Sequence, residues 1–94
     1  MIRSEDLRKI LERQGYKCGL SGVPLEPELL EFDHIVPVSS GGADTESNIM
    51  AVTTVVNRSK RCLDLVEFVE LCHRVAKHVS VKRAKELRKK GLGC

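Results

Sequence analysis

Asp33 and His34 stand side by side in EFDHIVPVSSGG, residues 31–42, among apolar neighbours (Phe32, Ile35, Val36) that favour burial. Two titratable groups in that setting, followed at once by Pro37 and a small-residue loop, call for a chemical reason. Phosphodiester hydrolysis supplies one. A water must lose a proton as it attacks phosphorus, and a histidine near neutrality can take it. Negative charge grows on the phosphoryl and leaving oxygens, and a divalent metal can neutralise it. Mg²⁺ prefers oxygen ligands, keeps several waters and often takes only one or two protein groups. Asp33 with the side-chain carbonyl of Asn57 makes a suitable pair. Taken singly these residues have plainer readings: a satisfied Asp–His pair at a strand end, a loop-capping Asn48, an ordinary helical Asn57.

The elements that must position them are legible. SEDLRKILERQ (4–14) reads as a helix capped by Ser4 and ended by Gly15, with Leu7, Ile10 and Leu11 on its apolar face. YKCGLSGVPLEP is turn-rich. Residues 31–36 read as a strand that Pro37 ends or places at an edge. SSGGADTES is a polar loop in which Gly41-Gly42 permits a tight turn. NIMAVTT reads as a second strand, and Thr53 or Thr54 caps a short helix across VVNRSKR. The segment 64–78 is the clearest helix: Asp64 and Glu67 form a capping-box variant, and Leu65, Phe68, Val69, Cys72, Val75 and Val79 share one face. On that pattern Cys72 reads as core filler. Residues 81–90 read as a further, basic helix. Asp33 and His34 alternate across the strand, so they serve one cleft only if the strand end twists.

FDHIVPVSSGG, then Asn48 in ESNIMAV, then NRSK at 57–60, resembles the HNH endonuclease family with its ββα-metal fold, over about residues 16–78. The resemblance implies an α+β chain: a β-hairpin with a long loop plus a short helix, flanked by an N-terminal helix and C-terminal helices. It implies one nuclease domain over residues 1–94, with a basic helix or tail from 79. His34 would be the general base. Asp33 and Asn57 would be metal ligands, Asn57 filling a signature position that is histidine in many members. Asn48 would hold the loop through backbone hydrogen bonds and so orient His34. Lys60, one turn after Asn57 on the same helix face, would meet a phosphate; Arg58 and Arg61 are weaker candidates. The cofactor would be Mg²⁺, Mn²⁺ or another divalent cation, and the products 5′-phosphate and 3′-hydroxyl ends. Many relatives carry two Cys-x-x-Cys pairs that bind zinc. Here Cys18 is followed by Ser21 in the partner position, with Thr53 and Val56 at the second pair. One thiolate cannot make a four-cysteine site. No structural zinc is expected, and helix 64–78 is expected to stabilise the fold instead. LDLVEFVELCHRV, less specific, is similar to small phage-type HNH proteins.

Composition narrows the alternatives. Aromatics are 3% of the 94 residues, so base stacking on aromatic platforms is not the binding mode. No run approaches 18 apolar residues, and the start lacks an apolar signal region, which favours a cytoplasmic protein. Cys18, Cys62, Cys72 and Cys94 are then expected to be unpaired. Residues 77–94 carry seven Lys or Arg (including Lys82, Arg83, Lys85, Arg88, Lys89 and Lys90) against Glu86, a net +6 on a body of net −3. That asymmetry fits a polyanionic partner, double-stranded DNA, though a solvated tail has the same composition. A homodimer or a phage packaging protein is the expected protein partner. The rival functions are a non-catalytic nucleic-acid-binding module and an accessory subunit of a phage DNA-processing complex.

Overall fold

The first helix of the computed structural model, which describes residues 2–91, is α1 (Ser4–Arg13). Ser4 is its first helical residue rather than its cap. Arg3 takes the cap position, and its backbone N–H donates to Asp6 Oδ2 at 2.9 Å. Past α1 the chain reverses through Gly15 and Tyr16, both with positive φ, and Tyr16 N–H returns to Leu11 O at 2.9 Å. A turn closed by a Lys17–Pro24 bridge follows. Strand β1 (Leu30–His34) then pairs antiparallel with β2 (Ile49–Thr53), with Phe32 opposite Ala51 and His34 opposite Ile49. Helix α2 (Thr54–Lys60) starts on a Thr53 cap whose hydroxyl accepts from Val56 N–H, α3 (Leu65–His78) on an Asp64 cap, and α4 (Val81–Lys89) on a Ser80 cap. The chain is therefore α+β, with a ββα core flanked by helices. Among the described residues no helix is long and apolar enough to cross a membrane. Cys94 lies outside the described residues.

The two-residue alternation of the strands divides the sheet's duties. One face carries Phe32, Ile49 and Ala51, which pack with Ile10, Leu7 and Leu11 of α1. The opposite face carries Glu31 and Asp33 toward α2, as their contacts with Asn57 and Lys60 show. The free edge of β2 is covered by side chains from the end of α1. Gln14 both accepts from Ala51 N–H (2.9 Å) and donates to Ala51 O (2.8 Å), and Arg13 donates to Ile49 O. This satisfies ladder groups that would otherwise invite another strand.

The helix from 64 to 78 does not do the work expected of it. None of its residues is buried; Val66, Val69, Leu71 and Val75 are exposed, and so is Cys72, which is not core filler. A three-to-four-residue repeat specifies a helix with an apolar side but not what covers that side. Here α3 leaves the sheet after Leu63, and the buried residues are Ile10, Cys18, Ile49, Ala51, Val52 and Lys60. The radius of gyration, 15.7 Å, exceeds the ~12 Å of a compact chain of this length, which agrees with helices projecting from a small core.

Candidate active site

Strand β1 ends sooner than its composition suggests, and the reason is Asn48. Ile35 N–H donates to Asn48 O at 2.8 Å and Val36 N–H to Asn48 Oδ1 at 2.9 Å, so the ladder gives way to a side-chain clamp. The Asn48 amide also donates to Val36 O (3.0 Å) and Ala43 O (2.7 Å), tying both ends of the loop. Gly42 lies so close to Val36 O that a Cβ there would sit 1.8 Å from it, and Gly41 takes φ 90°. The clamp needs a residue without a side chain at one position and a left-handed one at the other. The Asn48 side chain thus bonds to the backbone of Val36 and Ala43 at both ends of the loop.

The turn brings His34 and Asp44 together: Nε2 lies 2.9 Å from Asp44 Oδ1. A carboxylate only accepts, so Nε2 is the donor, and in the neutral imidazole Nδ1 keeps its lone pair. Asp33 and His34 both line one cleft of about 360 Å³, with Pro37, Lys60, Arg61 and Asp64 among its walls. The strand end does therefore present consecutive side chains to a common space.

Asn57 and Lys60 lie one turn apart on α2 and face β1, but they take separate partners. The Asn57 amide donates to Glu31 Oε2 at 3.1 Å. Lys60, 4% exposed, places Nζ 3.0 Å from Asp33 Oδ2. Asn57 is not in the wall of the cleft that holds Asp33 and His34. Lys60 was expected to offer itself to a phosphate; in this structure it is buried and paired, so phosphate contact requires that ion pair to open. Arg58 is exposed with Nε 3.7 Å from Glu31 Oε1, and Arg61 lines the cleft with φ 54°. Lys82, Arg83, Lys85, Arg88, Lys89 and Lys90 are exposed on α4 or directly after it, and Arg83 is shared with Glu86 at 3.3 Å.

Two residues of this network escaped the reading of the sequence. Glu31 was within reach of it: two positions before Asp33, it must share that residue's face of β1. Asp44 had no such signal, because the irregular loop between the strands imposes no period. Glu31 Oε1 is buried with no hydrogen-bond partner. The nearest cation to that oxygen is the Arg58 guanidinium, 3.7 Å away, too far for a hydrogen bond. With its nitrogen on Glu31, Asn57 has Oδ1 to offer; with Lys60 on Oδ2, Asp33 has Oδ1. Such all-oxygen donors suit a hard divalent cation. Among the described residues no cluster of three His, Cys, Asp or Glu side chains is arranged to hold a metal, so any cation would depend on Asn57 or water to complete its shell.

Across the cleft, Asp64 is held below the usual carboxylate range by hydrogen bonds from Glu67, while Asp64 pushes the Glu67 carboxyl up. On the far side of the hairpin, Cys18 Sγ accepts from Ser21 N–H and Thr53 N–H, each at 3.4 Å. Burial raises its pKa, but hydrogen bonds from Ser21, Leu20 and Thr53 outweigh burial and bring the thiol down from 9.0 to about 7. A folded pKa below the unfolded one adds stability as pH rises through that window, and the gain is lost as pH falls through about 7. Urea denaturation should therefore show stability rising between about pH 7 and 9 by up to about 2 kcal/mol. The Cys18→Ala variant should lack that rise; an equal rise in the variant would assign it to another group.

Residues 16–55 match the family model described as HNH endonuclease. That segment of the chain is therefore similar to the HNH endonuclease family. The matched segment holds Asp33, His34, Asn48 and Asp44 and stops before Asn57 and Lys60. No curated protein sequence matches the chain.

Proposed function

We propose that the protein is a divalent-metal-dependent DNA endonuclease or nickase, with His34 as general base and Asp33 and Asn57 as the residues that hold the cation. The observation that carries this reading is the cleft in which His34, aimed by Asp44, stands beside Asp33. When bound, the cation supplies a Lewis acid for the developing charge on the phosphoryl and leaving oxygens. The rest falls to the chain. Asn48 fixes the loop, the loop carries Asp44, and Asp44 fixes the tautomer of His34 so that Nδ1 takes the proton of the attacking water. Asp33 offers Oδ1, and Glu31 turns the Asn57 amide so that its carbonyl oxygen is the free atom. The exposed cations of α4 supply sequence-independent attraction to duplex phosphates.

Supercoiled plasmid incubated with the protein should be nicked or linearised in Mg²⁺ or Mn²⁺ and left intact in EDTA. Cleavage that persists in EDTA would end the metal-dependent reading. One observation favours a second reading: both acids of the site already have cationic or amide partners within the chain, Asp33 in Lys60 and Glu31 in Asn57 and, at 3.7 Å, Arg58. A nucleic-acid-binding module that does not cut would look the same. It would bind DNA with strong salt dependence and leave plasmid supercoiled in every metal.

A further inference from the structure

We propose that Lys60 is an exchangeable counter-ion, which neutralises Asp33 in the free protein and passes to a substrate phosphate when DNA enters, so releasing Asp33 for the divalent cation. The inference rests on the reading of Asp33 as a metal ligand. Lys60 is the one buried charged side chain among the described residues, and its ammonium is 3.0 Å from Asp33 Oδ2. A buried ammonium is tolerated only with a partner. Asp33 is that partner, and a divalent cation on the same carboxylate would face a positive charge a few ångströms away. The free protein should thus hold the cation weakly. Lys60 also lines the cleft that Asp33 and His34 share, and its charge is felt by Asp64, which lines the same cleft. Its flexible four-carbon stem lets the ammonium turn within that space. A phosphodiester oxygen there gives Lys60 a second anionic partner, so the ammonium stays paired when it leaves Asp33. Metal and DNA would then favour each other's binding, and the coupling is necessarily reciprocal.

The test measures Mn²⁺ affinity by isothermal titration in a His34→Ala background, with and without a short DNA duplex, so that cleavage is slowed by at least ~10²-fold. With Lys60 present, the duplex should tighten Mn²⁺ binding by roughly 5–150-fold, the usual span of coupling between two sites. Lys60→Gln keeps a hydrogen-bond donor to Asp33 but removes the charge. It should bind Mn²⁺ more tightly without DNA, and the duplex should add little. Lys60→Met, compared by circular dichroism for an intact fold, should behave alike, whereas Lys60→Arg should keep the weak affinity of the parent. Equal Mn²⁺ affinity in the parent, Lys60→Gln and Lys60→Met proteins would overturn the exchange. An Asp33→Ala change that leaves Mn²⁺ affinity untouched would instead remove the metal-site reading on which the exchange rests.

Discussion

Replacing His34 by alanine should lower the rate of plasmid cleavage by ~10²–10⁴-fold, the range a positioned general base contributes. The magnitude follows from how the side chain is held. Its backbone is fixed by pairing with Ile49 at the end of the sheet, and its ring is fixed by the 2.9 Å bond from Nε2 to Asp44. On the proposed reading of His34 as general base, the ring is oriented before substrate arrives, and Nδ1 of its neutral form is the atom that takes the proton. Two companion changes separate the roles. Asp44→Ala should cost less than His34→Ala, because the imidazole remains and only its orientation is loosened. Asp33→Ala should abolish the Mg²⁺ dependence of whatever residual cleavage survives, while His34→Ala should leave that dependence in place. Equal cleavage by the parent protein and His34→Ala would remove the histidine from the mechanism, and with it the reason for the Asp44 contact.

The sequence disclosed the local devices of this fold more readily than its tertiary pairings. Asp64 and Thr53 announced the starts of α3 and α2, since a short polar side chain before an apolar run has few other uses. Asn48 was legible for the same reason: a lone amide between a Gly-Gly loop and a strand serves the backbone. Asp33 and His34 were visible because polar groups are costly in an apolar strand. By contrast, nothing local in NRSK says that Lys60 turns inward. Helical spacing puts it on the face of Asn57, but the choice between solvent and Asp33 is made by the strand beneath it. The exposure of α3 was hidden in the same way. Its apolar stripe is as regular as that of α1, yet Ile10 of α1 is fully buried and Cys72 of α3 is exposed. What separates the two helices is that α1 ends in Arg13 and Gln14, whose side chains grip the edge of β2, whereas no residue of α3 is buried. Hydrophobic periodicity carries no information on that difference.

The clamp built on Asn48 sets the second large expectation. Three hydrogen bonds converge on one side chain, from Val36 N–H and to the carbonyls of Val36 and Ala43. At about 1 kcal/mol each, Asn48→Ala should destabilise the protein by about 3 kcal/mol in chemical denaturation. It should also lower cleavage by more than that loss of folded population explains, because the loop it closes carries Asp44 to His34. Asn48→Asp discriminates between packing and hydrogen bonding. The two side chains have nearly the same shape, but a carboxylate can serve only the Val36 N–H and sets a bare oxygen against two carbonyls. Asn48→Asp should therefore be no more stable than Asn48→Ala near neutral pH. It should regain part of the difference as pH falls and the carboxyl acquires a proton it can donate. If Asn48→Asp were as stable and active as the parent, the side chain would be filling space rather than tying the loop, and the orientation of His34 would need another cause.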